Sequence, residues 1–383
     1  MTYKCNLRCA YCSESSKEIG DTIGYEHIRI FLGEIFKRWK IRNILDGENA
    51  EDVLHIFITG GGEPSYDFEV LSSTFRLIHE KSQNNGIPVN ISITTNGVCD
   101  ESARKLIAAN CDRIMVSYDG LPELQNRNRK TAKGFTTSET VEESIRFFAN
   151  NAKHPVTIRT TLWYEDVNKL REMADYIFTN YANNIIWSVF PVNPYGRAWA
   201  RIRNSNNLDK YDFAAGFVDV VNYVKEKYRG CSVETSFFDP TTKAFFCGGL
   251  ACSVKTPWLL PGGAVVACME QGGRVPFAKI ANGRFELTDL HSDALLAMTQ
   301  KKLEECRKCL VYRFCKGGCP AAHITNRKNG LKGIPWSCEM YVRFGRIMIE
   351  SLLSGQNFFG WHLEPINAKG LSSGDAFKMV KEK

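Results

Sequence analysis

Three cysteines close to the amino terminus carry the clearest chemical signal in this chain. Cys5, Cys9 and Cys12 stand in the run CNLRCAYC, with the spacing Cys-x3-Cys-x2-Cys. Three thiolates in one loop can hold three corners of an iron–sulfur cube, which leaves the fourth iron without a protein ligand. An iron with an open position can bind and reduce a small molecule, so the pattern predicts a reactive centre. A zinc knuckle is the alternative, although structural zinc normally takes four ligands.

A second set of cysteines lies in the C-terminal half. The sequence there runs Cys252-x10-Gly263-x4-Cys268, then Cys306-x2-Cys309-x5-Cys315-x3-Cys319, and ends with Cys338. No secretion signal is visible, so fourteen cysteines favour metal ligation over disulfides. A pair of zinc ribbons is the alternative; zinc would order these loops but could not transfer electrons. Cys99, Cys111 and Cys231 fall outside both sets and are expected to be small buried apolar residues.

Further candidate residues follow or lie within strand-like segments. Gly61, Gly62 and Glu63 come directly after one of them; glycine allows close backbone approach and a carboxylate suits a ligand's ammonium group. The other candidates are Asn96, Ser117, Asp119, Arg129 and Arg159. Arg159 stands in an apolar strand and needs a partner, either a ligand carboxylate or a structural ion pair. The alternative for Arg129 is a solvated arginine that caps a helix.

Alternating strands and helices are expected to position these residues. Short β-branched or aromatic runs predict strands at Val53–Thr59, Pro88–Asn96, Arg113–Asp119, Val156–Leu162 and Asn184–Phe190. Helical patterns cover Thr22–Trp39, Phe68–Lys81, Ser138–Asn150, Asn168–Tyr181 and Leu208–Tyr228. This rhythm indicates an α/β fold with a parallel sheet, a partial (β/α)6 TIM-like barrel whose active residues lie at the strand C-termini.

The N-terminal motifs resemble those of the radical S-adenosylmethionine (radical SAM) enzymes. Tyr11 before the third cysteine and the Gly-Gly-Glu run fit the family pattern. The resemblance implies that Tyr11 and the strand-end candidates bind S-adenosylmethionine, with Arg129 or Arg159 at its carboxylate. It further implies that reductive cleavage of the bound molecule yields a 5′-deoxyadenosyl radical, which removes a hydrogen atom from a substrate.

The C-terminal cysteines resemble the SPASM domain, the auxiliary-cluster extension of radical SAM enzymes that modify peptides. By that resemblance, one auxiliary cube is held by Cys306, Cys309, Cys315 and Cys338. The other is held by Cys252, Cys268 and Cys319, with Cys247 as a fourth ligand. The chain would then bind three [4Fe–4S] clusters and S-adenosylmethionine. Four thiolates close a cube fully, which suits electron transfer.

These patterns predict four regions. They are a radical SAM partial barrel at 1–205, a connecting helix and linker at 206–240, a SPASM domain at 241–345, and a C-terminal helix (Tyr341–Leu353) with a tail at 346–383. The few residues before Cys5 are expected to form a very short first strand of the barrel. We expect no leader-recognition domain before them, so leader binding is expected to use a separate protein or the barrel and tail surfaces.

The resemblance implies a ribosomally made peptide as substrate, with a flavodoxin or ferredoxin as electron donor. The stretch Phe190–Ala198 is similar to a PxxxxGRA segment of peptide-modifying members, although Phe190 replaces a glutamate common there. A thioether or carbon–carbon crosslink is the expected product. The runner-up is a sulfatase-maturing enzyme that forms formylglycine; those relatives carry aspartate where this chain has Met269, followed by Glu270 as a speculative base. An iron–sulfur electron carrier without catalysis is the alternative from another class.

Composition limits the remaining possibilities. The 383 residues carry a formal charge of +7, which falls to about +2 if eleven cysteines ligate three clusters. A nucleic-acid partner is therefore not expected. No run of 18 apolar residues is present, so neither a membrane span nor a membrane partner is expected. With no secretion signal, we expect a cytoplasmic enzyme.

Overall fold

A six-stranded parallel sheet forms the centre of the computed structural model. The structure describes residues 2–13, 22–46, 53–181, 184–192, 196–198, 201, 213–234, 238–239, 244–245, 257–266, 276–288, 306–309, 311–312, 342–347 and 350. The strands are β1 (Leu54–Ile58), β2 (Val89–Thr95), β3 (Arg113–Ser117), β4 (Val156–Leu162), β5 (Ile185–Pro191) and β6 (Ser232–Glu234). Their order across the sheet follows the chain, and every neighbouring pair is parallel. The predicted α/β barrel class is confirmed.

Helices connect the strands. They are α1 (Tyr25–Asp46), α2 (Phe68–Asn85), α3 (Glu101–Asn110), α4 (Pro122–Asn128), α5 (Ser138–Asn151), α6 (Leu170–Tyr181) and α7 (Phe213–Lys227), with short 3-10 turns at Pro64–Tyr66 and Tyr164–Lys169. Local signals fix several ends. Asp67 caps α2 by accepting from the backbone N–H of Val70, and Gly86 ends that helix in the left-handed conformation.

The two faces of the sheet differ in chemistry. On β4, Val156 and Ile158 are fully buried, whereas the alternate residues Thr157 and Arg159 are only partly buried. The apolar face packs against the helices and forms the main core, which also includes Trp187 of β5. The opposite face, which we call the polar face, carries the polar side chains of Ser117, Arg159 and Ser188 together with the apolar side chains of Met115 and Phe190.

In the described residues 2–4 the expected first strand before Cys5 is not found, and Thr2 forms an isolated bridge with Thr22. Instead, Thr2 and Lys4 accept backbone hydrogen bonds from Gly62 and Glu63 in the loop after β1. The sixth strand is β6, which pairs with β5 beyond α7. With three residues, β6 is too short for its sequence to predict.

A second sheet lies after the barrel strands. Its antiparallel strands are β9 (Trp258–Leu259), β10 (Ala264–Val266), β11 (Pro276–Ala281) and β12 (Arg284–Leu287); a separate pair, β7 (Phe238–Asp239) with β8 (Ala244–Phe245), precedes them. Buried Val265, Ala278 and Ile280 pack against Ile30 and Phe31 of α1. The sequence pattern predicts no strands in this region, and the apolar packing of these strands is a further source of order besides metal binding.

The C-terminal region contacts the barrel core. Residues 342–347 and 350 are helical, within the predicted helix Tyr341–Leu353. Phe344 is fully buried, and its ring centroid lies 5.8 Å from that of Phe217 on α7. The four proposed regions stay predictions. Of the helices in the described ranges, none combines the length and apolar character needed to cross a membrane.

Candidate functional site

The loop with the three N-terminal cysteines is held by the segment after β1. Gly62 donates its backbone N–H to the carbonyl of Thr2 at 2.8 Å, and Glu63 donates to the carbonyl of Lys4 at 2.9 Å. A Cβ added to Gly62 would lie 2.0 Å from the carbonyl oxygen of Lys4. Glycine is therefore required here because the two backbones touch.

The side chain of Glu63 is buried and fully engaged. Its carboxylate accepts hydrogen bonds from the hydroxyls of Ser65 and Thr95, both at 2.7 Å, and from the backbone N–H of Asn96 at 2.6 Å. Burial raises the pKa of Glu63, while these donors oppose the shift. The carboxylate thus ties the end of β1 to the end of β2.

Asn96 lies beside the first cysteine. Its amide nitrogen is 3.7 Å from the sulfur of Cys5 and donates to the side-chain oxygen of Asn6 at 2.7 Å. The backbone N–H of Leu7 also donates to the Cys5 sulfur, at 3.4 Å. Hydrogen bonds to ligand sulfurs are one way in which proteins adjust iron–sulfur clusters. The surroundings of Cys5 therefore suit a cluster thiolate.

The cysteine thiols influence one another electrostatically. Burial raises the pKa of Cys5 to about 11 and that of Cys9 to about 12, and the neighbouring cysteines add to both shifts. Metal binding must displace the protons from such thiols. Across the described ranges, no three His, Cys, Asp or Glu side chains converge as the ligands of one metal ion do.

Asp119, just beyond β3, is the centre of a buried polar network. It is 1 % exposed and accepts from the Tyr11 hydroxyl at 2.6 Å, from the Asn128 amide at 3.0 Å and from Nε of Arg129 at 2.9 Å. The Arg129 guanidinium also lies 5.1 Å from the centre of the Tyr11 ring. Burial lowers the pKa of Arg129, but the Asp119 carboxylate outweighs it, and the net shift is upward. The network anchors the loop residue Tyr11 to the barrel.

One row of polar side chains crosses the polar face of the sheet. Strand register places Ser117 beside Arg159, Arg159 beside Ser188, and Ser188 beside Glu234. Asn96 extends the row, because Thr95 before it pairs with Val116 before Ser117. We call these five residues the polar row. At about 4.8 Å per strand, the row spans roughly 19 Å from the cysteine loop to β6.

Arg159 occupies the middle of the polar row. Its guanidinium carbon lies 4.0 Å from the centre of the Phe190 ring on β5, and Nη1 lies 3.9 Å from the sulfur of Met115. A guanidinium that lies over an aromatic face can still donate hydrogen bonds from its edge. Such a group can bind a carboxylate from a ligand.

Some residues of this site are predicted from the sequence, and others are not. The predicted residues Asn96, Ser117 and Arg159 lie in one row, whereas Glu63, Asp119 and Arg129 are engaged in internal contacts. Ser188 and Glu234 were missed. A signal for Ser188 existed, since it interrupts the apolar strand IIWSVFP at the level of Arg159.

Most residues of the predicted auxiliary sites lie outside the described ranges. These are Cys247, Cys252, Cys268, Glu270, Cys315, Cys319 and Cys338. Cys306 and Cys309 are described: the backbone N–H of Cys309 donates to the carbonyl of Cys306 at 2.8 Å, so a tight turn brings them together. Cys111 is buried, as expected, while Cys99 and Cys231 are half-buried.

Comparison with known sequences identifies the N-terminal part of the chain. Residues 1–177 match the Radical SAM superfamily. Two cysteine-type anaerobic sulfatase-maturating enzymes of Clostridium perfringens are each 23 % identical over 92 % of this chain and 95 % of their own length. A probable GTP 3′,8-cyclase of Methanococcus maripaludis is 30 % identical over 46 % of this chain and 52 % of the cyclase.

Solved structures extend the similarity in fold to the C-terminal half. The structure of anSMEcpe with bound AdoMet has a TM-score of 0.60 at 19 % identity, covering 92 % of this chain and 96 % of that chain. Streptococcus suis SuiB has a TM-score of 0.56 at 16 % identity, covering 85 % and 72 %. The family resemblance indicated by the cysteine motif is confirmed for residues 1–177, which match the Radical SAM superfamily.

Proposed function

We propose that this protein oxidises a cysteine or serine side chain of a protein substrate to formylglycine, as an enzyme of the anaerobic sulfatase-maturating type. The observation that carries the proposal is the similarity to cysteine-type maturating enzymes over 92 % of this chain and 95 % of theirs. From the sequence motifs alone, a peptide crosslink is the first expectation and this reaction the runner-up. The relatives favour the former runner-up.

Cys5, Cys9 and Cys12 are proposed to hold the [4Fe–4S] cluster, and two further clusters are proposed for the C-terminal cysteines. A reduced cluster with bound S-adenosylmethionine supplies a 5′-deoxyadenosyl radical. The rest of the site, by this proposal, binds and orients. Gly62 and Glu63 hold the cysteine loop, and Asn96 donates to the sulfur of Cys5.

Arg159 is our candidate for the carboxylate of S-adenosylmethionine because of its position. It stands in the polar row beside Ser117 on the next strand, and its guanidinium lies over the Phe190 ring. We propose that Arg159 and Ser117 bind the amino-acid end of S-adenosylmethionine, and that Ser188 and Glu234, further from the cysteines, face the substrate.

The proposed oxidation of a substrate cysteine conserves atoms and electrons. The Cβ–SH unit loses two hydrogens, one as a hydrogen atom from Cβ and one as the thiol proton, together with one electron. Water then replaces the sulfur, which gives an aldehyde and hydrogen sulfide. By this proposal, Glu270 takes the thiol proton, since Met269 cannot act as a base. The auxiliary clusters would take the electron.

Peptide crosslinking is the second candidate. One observation favours it: Met269 stands where maturases are expected to carry aspartate. A crosslink would remove two hydrogens and retain the sulfur. The two reactions therefore leave different masses on the same peptide.

The test uses reconstituted, reduced protein with S-adenosylmethionine and a cysteine-containing sulfatase peptide. We expect 5′-deoxyadenosine, hydrogen sulfide and a peptide aldehyde that reacts with a hydrazide probe, all read by mass spectrometry. Loss of two hydrogens with the sulfur retained would support crosslinking instead. No 5′-deoxyadenosine above background would leave the electron carrier as the better hypothesis.

Two variants control this test. The triple substitution of Cys5, Cys9 and Cys12 by alanine should abolish 5′-deoxyadenosine formation. Glu270→Gln should still form 5′-deoxyadenosine but produce at least about tenfold less aldehyde, since general base catalysis commonly contributes a factor of 10² or more. Unchanged aldehyde yield in Glu270→Gln would remove this residue from the mechanism.

A further inference from the structure

The segment after β5 contacts the cysteine loop across a long stretch of sequence. Nη1 of Arg197 donates to the backbone carbonyl of Cys9 at 2.9 Å, and its backbone N–H donates to the carbonyl of Cys12 at 3.1 Å. A Cβ on Gly196 would lie 2.2 Å from the Cys12 carbonyl oxygen, and Gly196 has a φ of +55°. The two backbones are therefore in direct contact.

A small apolar cluster supports this contact. Trp163, Val192 and Ala198 are buried together, and Ala10 and Tyr11 of the cysteine loop pack against them. The ring centroids of Tyr11 and Trp163 lie 6.0 Å apart in an edge-to-face arrangement. This apolar cluster is separate from the main core, and its contacts help to hold the cysteine loop in place.

We infer that Arg197 is a positioning residue, which holds the Cys9–Cys12 part of the loop in its cluster-binding shape and places a fixed positive charge beside the cluster. The inference rests on the proposed function in one respect, that an iron–sulfur cluster occupies these cysteines. Reduction adds negative charge to a cluster, so a nearby cation favours the reduced form. A guanidinium suits this role because it is always charged and donates in a fixed geometry.

Three other positions could not take this role. Asn96 and Leu7 donate to the Cys5 sulfur but carry no charge. Arg129 is a cation near Cys9, but its charge is paired with Asp119. Arg197 combines a cationic side chain with direct bonds to the backbone of two of the three cysteines.

The test compares Arg197→Gln, which removes the charge but keeps a donor, with Arg197→Lys, which keeps the charge. The midpoint potential of the N-terminal cluster is measured by paramagnetic resonance during redox titration of the full chain. The spectrum of the Cys5/Cys9/Cys12 triple alanine variant is subtracted to remove the auxiliary clusters. We expect Arg197→Gln to make reduction about tenfold less favourable, which is about 59 mV for one electron. Arg197→Lys should stay within about threefold of the unmodified protein.

The control is Arg201→Gln on the same segment. Arg201 stacks on Trp163, with its guanidinium carbon 4.1 Å from the ring centre, and pairs with Glu165. Its charge is thus balanced by a partner, and we expect less than a threefold change in the reduction equilibrium.

The possible results distinguish the inference about Arg197 from the proposed function. Loss of the N-terminal cluster from Arg197→Gln, while Arg201→Gln keeps it and both have unchanged circular dichroism, would also support the inference. The inference would be overturned if Arg197→Gln had the same midpoint potential and the same rate of iron loss as the unmodified protein. Retention of every cluster in the triple alanine variant would instead overturn the proposed function, whatever Arg197 does.

Discussion

At the scale of single residues, Asp119 and Arg129 form a buried ion pair. Asp119 lies 1 % exposed beside Arg129, which is 7 % exposed, so each charge depends on the other. Removing one partner of a buried pair typically costs about 3–5 kcal/mol, because the other charge stays buried without compensation. Asp119→Asn should therefore lower the free energy of unfolding by roughly 3 kcal/mol, measured in urea on the reconstituted protein.

The matched control for this change is Asp219→Asn. Asp219 pairs with Arg171 at 2.5 Å, but both side chains are at least half exposed. Exposed pairs contribute little to stability because water already screens them. We expect no measurable loss from this variant. An equal loss in both variants would mean that burial does not decide the cost at Asp119.

At the scale of elements, the contact between the cysteine loop and the segment after β1 depends on Gly62. A Cβ there would lie 2.0 Å from the Lys4 carbonyl oxygen. Gly62→Ala should displace the cysteine loop from the segment after β1. Iron and sulfide analysis of the reconstituted protein should then show one cluster fewer. Gly33 in α1 is the control, since a Cβ there meets nothing within 4 Å. Gly33→Ala should retain all clusters and gain roughly 0.5–1 kcal/mol of stability. A full iron content in Gly62→Ala would contradict the proposed contact.

The elements also explain which features the sequence could predict. The first five sheet strands are apolar, β-branched runs between helical patterns, and those signals are local. The β11–β12 hairpin also carries a local sequence signal, the dipeptide Asn282-Gly283 between two strand-like runs, and in the structure both residues have positive φ, as in a typical hairpin turn. The density of glycine and cysteine around it obscured the pattern.

In the candidate site, too, some contacts could be predicted from the sequence and others could not. Asn96, Ser117 and Arg159 could be grouped because the ends of parallel strands meet at one edge of a sheet. The contact from Arg197 to Cys9 could not, because 188 positions separate the two residues and no local pattern links them. Contacts of that kind depend on how the barrel closes, which the spacing of residues along the chain does not encode.

At the scale of the whole molecule, the barrel and the cysteine-rich half share one core. Val311 and Phe344 are buried in the same cluster as the strands and helices of the barrel. The two halves are therefore expected to fold together. Their chemistry should still separate, since the cluster proposed to cleave S-adenosylmethionine is assigned to Cys5, Cys9 and Cys12, and the cysteines proposed for the auxiliary clusters lie elsewhere in the chain.

The double substitution of Cys306 and Cys309 by alanine tests that separation. It removes two of the four thiolates proposed for one auxiliary cluster, so electron transfer from the oxidised substrate should fail while cleavage of S-adenosylmethionine continues. We expect 5′-deoxyadenosine within about threefold of the unmodified protein and at least about tenfold less peptide product, both quantified by mass spectrometry. Cys231→Ala is the control, because Cys231 belongs to neither cysteine set, and it should leave both yields unchanged. If the double variant lost 5′-deoxyadenosine as completely as the Cys5/Cys9/Cys12 variant, the two halves would be coupled in cleavage as well as in folding.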